Sequence, residues 1–309
     1  MRIIRAHDHI VDALAFSPNG RLIASSANET IRLHDSNTGE LVGQWTGFLV
    51  ASMRFLPDGS ALLLSGFSGL WLQPISGAGP TWAGSDGWCS AAALSPDGRT
   101  AAVYHASYRQ EFDPSRRATL RRFRIDTGEE IPGGWGGTQE PNAGDRWPAL
   151  GLAYSPDGKL LATCFQVRAE GHRTDVLFWD AQTGEHRGEF TAALTHEVEQ
   201  IAFSPDGAIL AARNGPRLLA WDVRTLTPEA TRKTGLQHFK EMAFTPDGRR
   251  LITVNNDKAA RVWDTATWTE IRAHDWKINK LRSVAVSPDG LRIAAGSING
   301  KIVVWDNDD

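Results

Sequence analysis

Three short stretches of the sequence carry residue types that could do chemistry. His7-Asp8-His9 combines two imidazoles with a carboxylate, which are ligands that bind zinc. The stretch Ser65-Gly66-Phe67-Ser68-Gly69 places serine among glycines, as a nucleophilic serine at a sharp turn requires. Gly133-Gly134-Trp135-Gly136-Gly137 is rich in glycine, as phosphate-binding loops are. These stretches would point to a metal site, an acyl-transfer enzyme and a nucleotide site.

None of the three stretches meets the other requirements of its chemistry. A metal site needs further converging ligands, and the serine stretch has the wrong spacing and lies between two strands. The glycine stretch is followed neither by Lys-Ser or Lys-Thr nor by a helix whose N-terminus could bind phosphate. We therefore expect no catalytic residue, no metal and no cofactor. A site assembled from several repeats around a central channel remains open as an alternative.

The composition narrows the class of protein. The 309 residues include 33 Lys and Arg against 36 Asp and Glu, so the net charge is −3 and a strongly basic nucleic-acid binder is disfavoured. No run approaches the ~18 apolar residues of a membrane helix, and the start MRIIRAHDH lacks the apolar core of a secretory signal. Two cysteines cannot form a disulfide framework. We expect a soluble, cytoplasmic protein.

One tetrapeptide, Ser-Pro-Asp-Gly or a close variant, recurs seven times along the chain. In this tetrapeptide proline presets φ, Asp or Asn tolerates the next position, and glycine adopts the positive φ that reverses the chain. We expect each copy to close a β-hairpin. The copies begin at Ser17, Leu56, Ser95, Ser155, Ser204, Thr245 and Ser287.

The segments around each turn are of strand length. Val11 to Phe16 precedes the first turn, Arg21 to Ser25 follows it, and a third segment ends in an aromatic residue followed by Asp, as in Trp179-Asp180. Trp71 is placed at this aromatic position without its Asp, and a Thr-Gly turn then leads to a fourth segment. Four antiparallel strands in about 40 residues are typical of a propeller blade.

With these turns and the terminal Trp-Asp pairs, the sequence resembles the WD-repeat β-propeller family over essentially its whole length. The resemblance implies an all-β fold, a seven-bladed β-propeller in a single domain spanning residues 1–309. It also implies a hydrogen-bonded network of His, Ser or Thr, Asp and Trp in each blade. This network is matched only in part, by His7 and Ser25 in the first repeat and by Thr253, Asp257 and Trp263 in the sixth.

The two ends of the chain are expected to close the ring. The seventh repeat stops after Trp305-Asp306, so its fourth strand is missing from the C-terminus. Ile4 to Asp8 repeats the sequence of Ile271 to Asp275, which forms the fourth strand of the sixth repeat. Residues 1 to 6 are therefore predicted to form the outer strand of the last blade, which also removes an exposed sheet edge. A closed ring has no structural need to pair, so we expect a monomer.

Three insertions interrupt the regular spacing and would open onto one face, the top. They are residues 104 to 120 within blade 3, residues 166 to 174 within blade 4, and residues 138 to 147 between these blades. Long loops inside an economical repeat are often functional. The first two are rich in Arg, which makes bidentate contacts with carboxylate or phosphate; a solvated loop that binds nothing is the alternative.

The residues around the start of each first strand should line the rim of the top face. Blades 1 to 4 contribute an apolar and aromatic arc, blade 5 is acidic, and blades 6 and 7 are basic. Aromatic residues beside charges of opposite sign are typical of protein-binding hot spots. The expected partner-binding residues are Phe48, Leu49, Trp88, Arg109, Arg116, Arg117, Trp147, Arg168, Arg173, Lys240, Lys280 and Arg282. For Trp88 and Trp147, anchoring their own loops is the alternative.

The sequence thus predicts a non-enzymatic interaction scaffold that binds a protein or peptide on the top face near blades 3 and 4. No membrane contact is expected, and the identity of the partner is not encoded in any motif. Two alternatives stay open. One is a small ligand or a reaction in the central channel, and the other is an anionic partner, such as nucleic acid, on the arginine-rich loops.

Overall fold

The computed structural model describes residues 1–67, 69–85, 88–106, 119–132, 146–167, 173–192, 198–233 and 238–308. These residues form seven antiparallel sheets, which are the blades of a β-propeller. No helix within these ranges is long and apolar enough to cross a membrane.

The strands follow each other in sequence order within each blade, from the first strand to the outermost. Blade 1 contains β2 (Ala13–Phe16), β3 (Leu22–Ala27), β4 (Thr30–Asp35) and β5 (Leu41–Thr46). Blade 2 contains β6 (Val50–Phe55), β7 (Ala61–Gly66), β8 (Gly69–Pro74) and β9 (Trp82–Ser85). Blade 3 contains β10 (Trp88–Leu94), β11 (Thr100–Ala106) and β12 (Thr119–Arg124).

The second half of the chain repeats this order. Blade 4 contains β13 (Arg146–Tyr154), β14 (Leu160–Val167), β15 (Arg173–Asp180) and β16 (His186–Ala192). Blade 5 contains β17 (Val198–Phe203), β18 (Ile209–Asn214), β19 (Arg217–Asp222) and β20 (Thr227–Lys233). Blade 6 contains β21 (Phe239–Phe244), β22 (Arg250–Asn255), β23 (Ala260–Asp264) and β24 (Glu270–His274). Blade 7 contains β25 (Leu281–Val286), β26 (Arg292–Ser297), β27 (Lys301–Asp306) and, as its outermost strand, β1 (Arg2–Arg5).

Closure by the N-terminal strand is confirmed. β1 pairs antiparallel with β27, with Arg2 opposite Val304 and Arg5 opposite Lys301. Just beyond the strand, the N–H groups of Ala6 and His7 both donate to the carbonyl of Gly300, at 3.0 and 2.9 Å. A Cβ on Gly300 would lie 1.7 Å from the His7 carbonyl oxygen, so this close backbone approach requires glycine.

The seven recurrent turns close hairpins between the first and second strands, as the sequence predicts. In blade 3, Gly98 has φ +72° and donates its N–H to the Ser95 carbonyl at 2.9 Å. The Ser95 hydroxyl donates to Asp97 at 2.6 Å and accepts the N–H of Thr100 at 2.9 Å. In every blade the turn glycine also lies against the turn proline of the preceding blade, as Gly98 does against Pro57. The turns therefore form a continuous ring on the face we call the bottom.

Apolar packing between neighbouring blades forms the core. A separate cluster of buried side chains lies at each of the seven blade interfaces. At the closure, Ile4 and Ala6 pack with Val11, Leu14 and Phe16 of blade 1. The interface of blades 5 and 6 buries Trp268.

The expected polar networks form in part. Trp263 donates its indole N–H to the Thr253 hydroxyl at 2.9 Å, and His7 Nε2 lies 2.9 Å from the Ser25 hydroxyl. Asp257, the remaining matched residue of the sixth repeat, forms an ion pair with Arg261. His7 is thus engaged inside the closure, and burial lowers its pKa to about 4.

The structure corrects the expectation for blade 2. Strand register places Gln73 opposite Leu62, the position that Trp179 occupies opposite Leu161 in blade 4, so Trp71 lies two residues before the aromatic position. Gln73 is buried and donates Nε2 to the carbonyl oxygen of Ala78 at 2.6 Å. The alternation of a strand explains the error, because two residues along the chain return a side chain to the same face.

Blade 3 also differs from the expected four strands, since the described residues supply three. Glu130 forms a β-bridge with Phe123, and the Ile131 N–H donates to the Arg122 carbonyl at 2.8 Å, where a fourth strand would begin.

The closure generates a prediction that compares two adjacent isoleucines of β1. Ile4 is 6% exposed and packs in the cluster between blades 7 and 1, whereas Ile3 is 44% exposed. Ile4→Ala should lower the free energy of unfolding by about 2–4 kcal/mol, and Ile3→Ala by less than about 0.5 kcal/mol. Deleting residues 1 to 8 should lower the melting temperature further, because β27 then becomes an uncovered edge. Equal melting curves for the two alanine variants would contradict the closure.

Candidate binding site at the mouth of the central channel

The first strands of all seven blades meet around a central channel. Each contacts the first strand of the next blade, and β2 contacts β25 to complete the circle. Because these strands end at the ring of turns on the bottom face, they begin on the opposite face, the top. A cavity of about 480 Å³ opens among their first residues.

One side of this cavity is apolar. Blade 2 contributes Leu49 and Phe67, which are 41% and 63% exposed. Ala91 of blade 3 and Leu152 of blade 4 continue the lining. We call Leu49, Phe67, Ala91 and Leu152 the apolar arc. Large apolar side chains left exposed at the edge of a cavity are available to cover an apolar group of a partner.

The other side carries charges, some of which hold blades 5 and 6 together. Arg213 forms an ion pair with Glu199 and donates Nη1 to the Phe239 carbonyl at 3.1 Å. Burial lowers the pKa of Arg213, and the Glu199 carboxylate opposes that effect. Gln200 accepts the Met242 N–H at 3.0 Å and donates Nε2 to the Met242 carbonyl at 3.1 Å. These groups have structural partners already.

Glu241 occupies in blade 6 the position that Gln200 occupies in blade 5, five residues before the turn proline. Its Oε2 accepts the N–H of Val284 in blade 7 at 2.7 Å. Burial raises the pKa of Glu241 to about 7, although the Val284 N–H and the cations of Arg54, Arg213 and Arg282 favour its ionised form. Near neutral pH this carboxyl therefore cancels only part of the surrounding positive charge.

Three further cations face the cavity: Arg54, Lys240 and Arg282. Arg282 Nε lies 3.8 Å from Asp12 Oδ1, a loose ion pair. Lys240 has no ion pair or side-chain hydrogen bond within the described part of the chain, and the same holds for Arg54. Burial lowers the pKa of Lys240, as do the nearby cations Arg282 and Arg213. We call Arg54, Lys240 and Arg282 the cationic arc.

Arg54 and Glu241 were not found from the sequence, although the repeats contain a pattern that identifies Arg54. The residue three before the turn proline is Ala in six blades, at positions 15, 93, 153, 202, 243 and 285, and Arg only in blade 2. Small residues suit strands that converge around a narrow axis. Comparing equivalent positions across repeats would have shown this exception.

The structure brings together part of the residue set predicted from the sequence. Leu49, Lys240 and Arg282 line the cavity, and Lys280 is exposed beside it, close enough to lower the pKa of Lys240. Phe48 is only 9% exposed, and its ring makes an edge contact with Trp71 at 5.8 Å. Its ring therefore packs between blades 1 and 2 and is removed from the predicted surface.

The remaining predicted residues cannot be placed by their side chains. Trp88 and Arg173 begin strands β10 and β15, and Trp147 is the second residue of β13, but the side chains of all three lie outside the described part. Arg109, Arg116, Arg117 and Arg168 lie outside the described residues altogether.

Within the described residues, no group of three or more His, Cys, Asp or Glu side chains could hold a metal ion.

The raised pKa of Glu241 leads to a prediction about stability and pH. Between pH 4.5 and about 7 the folded protein binds more protons at this site than the unfolded chain does, so the carboxyl lowers stability as pH rises. Glu241→Gln keeps an acceptor for Val284 and removes the charge. We expect the variant to exceed the wild type in free energy of unfolding by on the order of 1–3 kcal/mol at pH 8, with the difference vanishing near pH 4.5.

Thermal unfolding of both proteins across pH 4.5 to 8 measures this difference. Glu229→Gln, on the exposed outer strand β20, is the matched control and should show no such trend. A gain for Glu241→Gln that is the same at pH 5 and pH 8 would exclude the proposed ionisation.

Comparison with known proteins agrees with this architecture. The WD40 family model, described as "WD domain, G-beta repeat", matches residues 1–35, 235–264 and 267–306. Residues 1–35 contain β1 to β4, residues 235–264 contain β21 to β23, and residues 267–306 contain β24 to β27. A search of the curated proteins finds no match. WD40 repeats match these segments and the structure arranges seven blades around a channel, so the chain contains WD40 repeats within a seven-bladed β-propeller.

Proposed function

We propose that this propeller is a non-enzymatic interaction module that binds a protein or peptide on its top face, over the mouth of the central channel. WD40 propellers generally mediate protein-protein interaction, and the family therefore supports the coarse function. The site on the top face, near blades 2 to 7 around the channel, is our own assignment.

The observation that carries the proposal is the division of one cavity into an apolar arc and a cationic arc. A protein partner can cover exposed Leu49 and Phe67 while its acidic groups meet Lys240 and Arg282. Such a combination gives affinity from apolar burial and orientation from charge. The loops of blades 3 and 4 enter the proposal only through the sequence, because much of them lies outside the described residues.

A second candidate is a small anionic molecule bound in the channel. It is favoured by Glu241, since a carboxyl with a pKa near 7 beside cations is a common feature of sites that exchange protons with a ligand. The two candidates differ in what the site recognises. A peptide module needs the exposed apolar arc, whereas a small anion needs only the charged groups inside the channel.

Selection of peptides from a random display library tests the first candidate with the whole chain. The wild type should enrich peptides, and the double variant Leu49→Ser, Lys240→Ala should lose at least tenfold of that enrichment, because both arcs are weakened. The matched control is Leu291→Ser, Arg249→Ala, which changes an exposed leucine and an exposed cation on the bottom face. Control and wild type should enrich the same peptides.

Melting curves should first establish that both double variants are folded. Equal enrichment by all three proteins would exclude the top face, and no enrichment by the wild type would exclude a peptide-binding module. In the latter case, stabilisation of the wild type by inorganic phosphate, lost in Lys240→Ala, would favour the small-anion candidate.

A further inference from the structure

We propose that the channel mouth receives one protruding acidic side chain of the partner, a carboxylate or a phosphoryl group, and that Arg54 is the residue that selects it. This inference rests on the proposed function and specifies the chemistry of the partner. It adds Arg54, which lies below the rim, as a residue that determines specificity.

The position of Arg54 along β6 places its backbone below the rim. Lys240 and Arg282 are the sixth residues before their turn prolines, and Arg54 is the third. Three residues of strand correspond to about 10 Å along the channel axis. Arg54 nevertheless lines the same cavity and is exposed in it. A ligand group that reaches its guanidinium must therefore enter the channel.

Packing does not account for an arginine at this position. The other six blades have alanine there, and the alanines of blades 1, 3 and 7 are buried. Within the described residues, Arg54 has neither an ion pair nor a side-chain hydrogen bond. Its guanidinium is permanently charged and offers five N–H donors in a planar fork. A structural role would normally engage these donors, as Arg213 engages Glu199, Gln200 and Phe239.

The surrounding charges favour an anion in the channel at the level of Arg54. The cavity is lined by four cationic side chains, Arg54, Arg213, Lys240 and Arg282, and by three carboxyls, Asp12, Glu199 and Glu241. Glu199 is paired with Arg213, and Asp12 is the neighbour of Arg282. Glu241 accepts the Val284 N–H, and because Arg54, Arg213 and Arg282 all favour its ionised form, its charge is shared among three cations. An added anion would thus meet Arg54 and Lys240, which have neither an ion pair nor a side-chain hydrogen bond within the described residues.

The shape of the site favours a side chain over a flat acidic surface. A flat surface would contact the rim cations Lys240, Lys280 and Arg282 but would leave Arg54 below it. A protruding acidic residue can reach Arg54 while the adjacent residue of the peptide covers Leu49 and Phe67. A cavity of about 480 Å³ lies within the size range of sites that enclose small groups. The expected recognition element is therefore an acidic residue next to an apolar one.

The test compares peptides selected by the wild type and by Arg54→Gln. Peptides enriched by the wild type should share Asp or Glu at one fixed position beside an apolar residue. Arg54→Gln should still enrich peptides through the apolar arc but without the acidic preference. Arg54→Lys, which keeps the charge and loses the planar fork, should retain part of the preference. Arg249→Gln, on the bottom face, should enrich the same sequences as the wild type.

Fluorescence titration then quantifies the effect with three synthetic copies of one enriched peptide. These carry Glu, Gln or phosphoserine at the fixed position. The wild type should bind the Glu copy at least tenfold more tightly than the Gln copy, with the ratio falling as salt is raised. In Arg54→Gln the ratio should approach one. A phosphoserine copy that binds more tightly than the Glu copy assigns the anion to a phosphoryl group, and the reverse order assigns it to a carboxylate.

The outcomes separate this inference from the proposed function. The inference is overturned if the wild type enriches peptides that have no acidic preference. It is also overturned if Arg54→Gln still binds the Glu copy of the peptide at least tenfold more tightly than the Gln copy. Either outcome leaves the proposed interaction module intact. Absence of any enrichment by the wild type overturns both.

Discussion

The pairing of β1 with β27 is the interaction on which the rest of the molecule depends. Each blade has two faces that must be covered, and only a closed circle gives every blade a neighbour on both sides. The N-terminal strand completes blade 7, and Ile4 and Ala6 then cover the first strand of blade 1. Without that contact the apolar cluster between blades 7 and 1 would face water. The central channel exists because the seven first strands are held in this circle.

Closure of the ring also limits the size of the side chains that fit around the channel axis. The turn glycines pack against the prolines of preceding turns on the bottom face, and alanines occupy the equivalent inner positions of six blades. Crowding of this kind leaves little space for large side chains deep in the ring. Arg54 is accommodated because its side chain is exposed in the channel cavity. A single departure from a crowded repeat position is thus the most informative feature of the site.

The charges around the channel serve two different purposes. Arg213, Glu199 and Gln200 connect blade 5 to blade 6, and Glu241 connects blade 6 to blade 7 through the Val284 N–H. Arg54 and Lys240 make no such connection within the described residues. Lys240 is the direct neighbour of Glu241 on β21, whereas Arg54 lies on β6. A rigid ring can therefore hold such cations at fixed positions, so that little conformational entropy is lost when a partner binds them.

The sequence by itself determined the fold, because turn chemistry and a repeat are local properties. Seven turns of Ser-Pro-Asp-Gly or a close variant, four strand segments per repeat and the copy of residues 4–8 at 271–275 were sufficient for a closed propeller. It also predicted that Leu49, Lys240 and Arg282 share a rim, since repeat spacing fixes equivalent positions. Only the tertiary structure decided that Phe48 faces the core and that Gln73 replaces the expected tryptophan. It also decided that Arg54 lies close enough to Glu241 to lower the pKa of that carboxyl. These outcomes depend on register and on distances across the ring, which join residues far apart in the chain.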